Sequence, residues 1–209
     1  MIEINFMDSF NGSNSRIVEI QKVLKEIKKE SWKKQITEIR NHIYNGDSKK
    51  ADYIKKTLPA FTVSATYKEN RKKENIESYT NLLHLDYDKL DNVKEVKAKI
   101  ISIPNTYAAF ISPSGNGIKV LVKSNNNETT HLYAFNALKE YYDEIIGISS
   151  DKAVKDVLRL CFVSSDPDLY LNEDAEVFET QSYPNNETKS QKDIKWVWDF
   201  TSNKQQFVE

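Results

Sequence analysis

The stretch Leu82-Leu83-His84-Leu85-Asp86-Tyr87-Asp88 constrains this chain more than any other, because it is an apolar run that ends in two acids one residue apart. In an extended strand, Leu82, His84, Asp86 and Asp88 share one face, and Leu83, Leu85 and Tyr87 share the other. Two like-charged carboxylates on one rigid face repel, and a divalent cation beside them, magnesium or manganese, makes the pair favourable. The alternative is a strand running into a solvated turn, which Asp91 and Asn92 downstream would suit. Both readings stay open on this segment alone.

The rest of the chain narrows the choice. Its 209 residues suit one large domain, or a domain with an appendage, and can bury a real core. Thirty basic and 31 acidic residues leave a net charge of -1, so a nucleic-acid partner would need a local patch rather than a global field. The single cysteine, Cys161, excludes an internal disulfide and a cysteine-rich zinc site. No leader pattern follows Met1 and no stretch reaches membrane-spanning length, so the expectation is a cytoplasmic protein without a membrane partner.

Residues 2–7 alternate as a short strand, and a loop over 11–15 can cap a helix. Ile17, Ile20, Val23, Leu24 and Ile27 recur at helical spacing. Ile36, Ile39 and Ile43 continue the pattern after a break near Ser31, and Asp47 caps a third helix that ends at Leu58 before Pro59. This is a helical front piece, about 15–58. Its paired lysines at 28–29 and 33–34 read as a solvated helix face. The basic segment 67–75 reads either as an exposed loop or as a mobile hairpin that touches phosphates.

From residue 81 the order is strand, helix (Val93 to Ile101), strand (Thr106 to Ile111), strand (Ile118 to Lys123), helix (130–146) and strand (159–164). That is the order of an α+β, ferredoxin-like or RRM-like sheet with helices on one face, occupying about 81–180. With Leu83, Leu85 and Tyr87 packed on the helices, Asp86 and Asp88 are expected to look out from an open face. Ser114, Gly115 and Gly117 form a tight turn whose amides could cradle phosphate, with Lys119 projecting over the same face; an ordinary hairpin with a surface lysine is the alternative. The spacing is not that of a P-loop. Asp151 is either a third strand-end acid or a helix cap, with Arg159 and Ser164 as phosphate-binding candidates behind it. Cys161 and Phe162 read as core packing. Beyond 180 come a polar linker and an aromatic tail, 181–209, with Trp196, Trp198 and Phe200.

Taken in order, Leu85-Asp86-Tyr87-Asp88, Ser114-Gly115-Asn116-Gly117-Ile118-Lys119, and Asp151 with Arg159 and Ser164 resemble the archaeo-eukaryotic primase superfamily. The closest likeness is to the VirE N-terminal-type primase-polymerase domains of bacterial mobile elements and phages, over roughly residues 1–180. Leu58 to Thr62, Ser112 to Lys119, and Arg159 to Ser164 with Asp166-Pro167 carry it. Lys119 stands where many superfamily members have histidine, and within the VirE-like group a lysine there is ordinary.

The resemblance implies a metal-dependent nucleotidyltransferase acting in DNA replication as a primase or polymerase. Asp86, Asp88 and Asp151 would hold two magnesium or manganese ions, and Ser114, Gly115, Gly117, Lys119, Arg159 and Ser164 would bind nucleoside triphosphates. The implied partners are a single-stranded DNA template and a helicase, as a separate protein or a fused domain. A non-catalytic nucleic-acid-binding accessory of a helicase or initiator is the alternative, and a metal-dependent nuclease is a third.

Overall fold

The computed structural model describes residues 1–10, 12 and 14–180, and the backbone of 195–199 and 204–208. Residues 181–194, 200–203 and 209, which include the linker and Phe200 of the expected 181–209 linker and tail, lie outside the described residues, as do Asn11 and Ser13 of the first loop. The protein is mixed α+β, built on antiparallel sheets.

Strand β1 (Glu3–Met7) alternates as its sequence predicts and pairs antiparallel with β2 (Ser15–Glu19). Ile17, which shares the helical spacing of Ile20 to Ile27, therefore lies in a strand and is 44% exposed. Pairing with β1 satisfies the backbone of β2, and the helical stripe starts one element later than the spacing alone implies. Helix α1 (Ile20–Lys28) buries Ile20, Val23, Leu24 and Ile27, an i, i+3, i+4, i+7 set. Glu30, with φ of 59°, breaks the chain where Ser31 marks it, and α2 (Lys33–Tyr44) follows, burying Ile36 and Ile39. Lys28, Lys29, Lys33 and Lys34 are exposed, as a solvated face requires. Asp47 caps α3 (Ser48–Lys55) by accepting the Lys50 N–H at 3.1 Å.

Pro59 leads into β3 (Ala60–Thr62), which lies beside β1. The basic segment is the tip of a hairpin: β4 (Ala65–Tyr67) pairs with β5 (Ile76–Tyr79), and a short 3₁₀ turn at Lys73–Asn75 precedes β5. Next come β6 (Leu82–Tyr87), α4 (Val93–Ile101), β7 (Thr106–Ile111), β8 (Ile118–Lys123) and α5 (His131–Ile146). After a 3₁₀ turn at Lys152–Lys155 the chain forms β9 (Leu160–Phe162) and β10 (Tyr170–Leu171). The backbones of β11 (Lys195–Asp199) and β12 (Lys204–Val208) form a separate two-stranded ladder.

Two four-stranded sheets organise the body, in the orders β2-β1-β3-β9 and β10-β7-β8-β6. The second contains the β6-β8-β7 neighbourhood of a ferredoxin-like unit. Its expected last strand is elsewhere, because β9 leaves β6 and pairs antiparallel with β3 in the first sheet. The free edge of β6 is met instead by the Asp151 N–H, which donates to the Asp86 carbonyl at 2.8 Å.

One face of the second sheet packs on α4 and α5 through Leu83, Leu85, Tyr87, Ala109, Ile118, Val120 and Val122, as the alternation in β6 predicts. The opposite face is not open. Leu82, Tyr107, Ala108, Phe110 and Leu121 join a core shared with β1, β3, β9 and the front helices. A register shift between Thr106 and Ala108 lets Tyr107 and Ala108 both serve that side. The expectation that the Asp86 face looks into solvent is thereby corrected: apolar residues on that face are buried against the first sheet, which covers Asp86, while Asp88 just beyond the strand stays exposed.

A buried strap ties the sheets together. Ser164 donates from Oγ to the Ile111 carbonyl at 2.6 Å, and Asp166 Oδ2 accepts from Lys97 Nζ at 2.7 Å and from the Ile111 N–H at 2.8 Å. Asp166 thus joins α4 and β7, while its own N–H reaches the Ile27 carbonyl at the end of α1.

Candidate active site at the end of β6

The site forms where β6 runs out beside the 112–117 turn. Register places Asp86 opposite Lys119 on β8, so both side chains point to the same covered side, and Lys119 Nζ stands 2.5 Å from Asp86 Oδ2. Lys119 is 4% exposed. It therefore does not reach over an open sheet, and its ammonium is committed to Asp86. Burial, the largest single effect, would raise the Asp86 carboxyl, but the charge and hydrogen bond of Lys119 together with His84 and Lys55 outweigh it and the net direction is down. Burial likewise disfavours charge on Lys119, while Asp86 holds its proton on and the net direction is up.

The other carboxylate oxygen, Asp86 Oδ1, is buried without a hydrogen-bond partner. So are both ring nitrogens of His84, two residues back on the same face. Burial, then the Lys119 charge, pushes the His84 imidazole down to about 3. Cys161 is fully buried nearby, its thiol pushed up to about 12 by burial first and Asp86 among other causes. It belongs to the core, as its sequence setting suggests.

Asp88 is exposed, just beyond the last residue of β6. Desolvation, then the Asp86 charge, raises its carboxyl, and Asp151 adds to the effect while Lys119 and Lys55 oppose it. The three acids named from sequence are thus electrostatic neighbours. Asp151 also does the work of a cap, since its Oδ1 accepts the Ala153 N–H at 2.8 Å. Asp143 steadies this corner: its Oδ1 accepts from Tyr87 Oη and from the Ser150 N–H, both at 2.9 Å, and it pairs with Lys139.

The glycine turn abuts the acids. A Cβ added at Gly117 would lie 2.6 Å from the Tyr87 carbonyl oxygen and 2.9 Å from both Asp88 Oδ1 and Ser112 Oγ. Only glycine permits that approach, and Gly117→Ala is expected to lower stability by about 1–3 kcal/mol, the scale of a forced overpacking. A urea midpoint equal to that of the wild type would refute this. Ser114 Oγ lies 2.8 Å from Ser112 Oγ, so the two hydroxyls pair within the turn, and Ser112 Oγ is on the Gly117 side that Asp88 Oδ1 also approaches. Gly115, with φ of 82°, gives its N–H to the Ser112 carbonyl at 3.0 Å and is covered by the Arg40 side chain. Arg40 Nη2 donates to the Ser112 and Ser165 carbonyls at 3.3 and 3.1 Å.

The predicted phosphate groups divide. Ser114 and Gly117 stand by Asp88, and Gly115 adjoins them under Arg40. Arg159 is exposed and acts electrostatically on His84. Ser164 is fully buried with its hydroxyl on Ile111, a structural role in the strap that leaves nothing for a phosphate. Sequence reasoning missed Arg40 and Lys55. Lys55 acts on Asp86, Asp88 and Cys161, and its Nζ lies 5.2 Å from the Phe162 ring centre. Both sit in front helices far from the motifs in sequence, where no local pattern marks them.

Among the described residues, no group of three or more His, Cys, Asp or Glu side chains is disposed to enclose an ion. The donor set does fit a lightly held hard cation. Asp86 Oδ1 is a buried acceptor without a partner and Asp88 is a carboxylate destabilised by its acidic neighbours, and magnesium is commonly bound by one or two carboxylates with water and phosphate completing its shell.

Fold and site together define an α+β protein with a carboxylate centre at a strand end, beside a glycine turn. Residues 53–171, more than half of the chain, match the family model described as BT4734-like, N-terminal domain, and the chain belongs to that family. No curated protein and no solved structure matches it. No helix among the described residues is long and apolar enough to cross a membrane.

Proposed function

We propose that this protein is a metal-dependent nucleotidyltransferase of the primase-polymerase type, adding nucleotides on a single-stranded DNA template. The observation that supports the reading is Asp88 beside Gly117 at the end of β6, with Asp86 and Asp151 acting on its charge and one Asp86 carboxylate oxygen buried and unpartnered. A magnesium or manganese ion held by Asp86 and Asp88 would supply Lewis acidity toward a triphosphate and an attacking 3′-hydroxyl.

The chain's own groups do the positioning. Asp86 and Asp88 provide anionic oxygens, and Asp143 fixes the corner that carries Asp151 through Tyr87 and Ser150. The Ser112 and Ser114 hydroxyls offer hydrogen bonds at the turn, and Lys55 and Arg159 offer positive charge to phosphate from either flank. The exposed basic residues Lys68, Arg71, Lys72 and Lys73 of the β4–β5 hairpin lie on the Arg159 side, where Arg71 Nη1 donates to the Leu158 carbonyl at 2.9 Å. They are suited to a template backbone. A helicase partner is the accompanying expectation.

The Lys119–Asp86 ion pair favours a second reading, since a carboxylate already neutralised by lysine needs no metal: a nucleic-acid-binding accessory without catalysis. One assay separates them. Purified full chain with magnesium or manganese, labelled nucleoside triphosphates and single-stranded DNA is expected to give extended product. Asp88→Asn is expected to lose about a hundredfold or more in incorporation while template affinity is retained. DNA binding with neither incorporation nor triphosphate binding leaves the accessory reading in place of the enzyme.

A further inference from the structure

Lys119 holds one of the two Asp86 carboxylate oxygens. A carboxylate bridges two ions by giving one oxygen to each, and Asp86 has only one to give: Oδ2 is held by the Lys119 ammonium at 2.5 Å, while Oδ1 is buried and unpartnered. The ammonium is not a surface group that can swing aside. Lys119 is 4% exposed, sits opposite Asp86 in the β6–β8 register, and is flanked on β7 by Phe110.

Asp151 offers less than a free carboxylate, since its Oδ1 caps the following turn by accepting the Ala153 N–H, which leaves Oδ2 as its uncommitted oxygen. His84, 3% exposed on the same side of β6, adds two ring nitrogens that are buried without a hydrogen-bond partner.

We propose that Lys119 serves as a built-in cation, so that the carboxylate centre by itself binds one divalent ion, on Asp86 Oδ1 and Asp88, and excludes a second. This rests on the metal-dependent reading above and changes its stoichiometry from the two ions that the primase likeness implies. Two positive charges on opposite oxygens of one carboxylate satisfy it, and a further dication beside the ammonium would meet repulsion in a poorly solvated site.

The test is a manganese titration of the full chain, stripped with chelator and free of nucleotide. It is followed by the electron paramagnetic resonance signal of unbound Mn²⁺, with circular dichroism confirming the fold. One ion per chain is expected for the wild type and none for Asp88→Asn, which changes an exposed side chain. Lys119→Met, which keeps the length and apolar stem but removes the charge, is expected to bind two. A wild-type count of two or of zero overturns the proposal, as does a count of one in folded Lys119→Met. If that variant does not fold, the wild-type and Asp88→Asn counts decide. Two ions with active incorporation sink the lysine's role alone, whereas one ion without incorporation sinks the polymerase reading alone.

Discussion

Asp166→Ala is expected to cost about 3–5 kcal/mol of folding stability, the range for removing one partner of a buried ion pair. Lys97 and Asp166 have side chains only 11% and 1% exposed. Deleting the carboxylate removes the counter-charge of the Lys97 ammonium, leaving it the Asp168 carbonyl at 2.9 Å, and orphans the Ile111 N–H, which donates to the same oxygen, and the Asp168 N–H, which reaches Oδ1 at 3.1 Å. The comparison variant is Asp168→Ala two residues on, an exposed side chain whose loss should stay within about 0.5 kcal/mol. Equilibrium urea unfolding of both measures the difference. Equal midpoints would mean that the strap contributes little and that the two sheets hold together by apolar packing alone.

Acidification is the second large effect. His131 lies buried at the start of α5, with Nδ1 2.8 Å from Tyr79 Oη, and burial foremost pushes its imidazole down to about 4. Asp156 and Lys155 act in the opposite direction, and Lys73 in the same one. An unfolded histidine titrates near 6.5, so between about 6.5 and 4 the unfolded chain binds a proton that the fold refuses, and stability falls as pH falls through that window. From pH 7 to 4.5 the loss is about 2.5 kcal/mol for this residue. His84, held down to about 3 by burial, adds a loss of the same sign and similar size over that range. His131→Gln, which cannot titrate, is expected to remove about 2.5 kcal/mol of the difference between unfolding free energies at pH 7 and pH 4.5 in metal-free protein. An unchanged difference would show that the ring is protonated within the fold.

Much of this architecture could be read from local pattern. The α4, β7, β8 and α5 elements follow from periodicity and turn residues, and Asp47 caps α3 as its position predicts. What local pattern could not carry was partnership at a distance. Ile17 fits a helical stripe and a strand equally well, and only the presence of β1 alongside decides for the strand. Leu160 to Phe162 reads correctly as a strand, yet nothing within it says that its neighbour is Ala60 to Thr62 and not β6.

The site shows the same division. Alternation in β6 correctly puts Asp86 opposite in facing to Leu85 and Tyr87, and Asp88 adjoins the glycine turn at Gly117. The open-face expectation fails because the cover comes from distant parts of the chain on both sides, from β1, the front helices and β3 before β6 and from β9 after it. Lys119 was placed on the correct side of its strand, but the register that sets it against Asp86 turns a candidate phosphate ligand into a buried counter-charge. Ser164 was singled out for its hydroxyl, and that hydroxyl faces inward.

Arg40 carries a mechanical consequence. Its aliphatic stem lies against Gly115 while its guanidinium clasps carbonyls on both the turn and the strap, so α2, the 112–117 turn and residue 165 share one rivet. Tilting the helix would drag the turn with it and shift the spacing between Ser114 and the Asp88 carboxylate. A load on the exposed side of α2 would therefore be passed directly to the 112–117 turn through the Arg40 guanidinium.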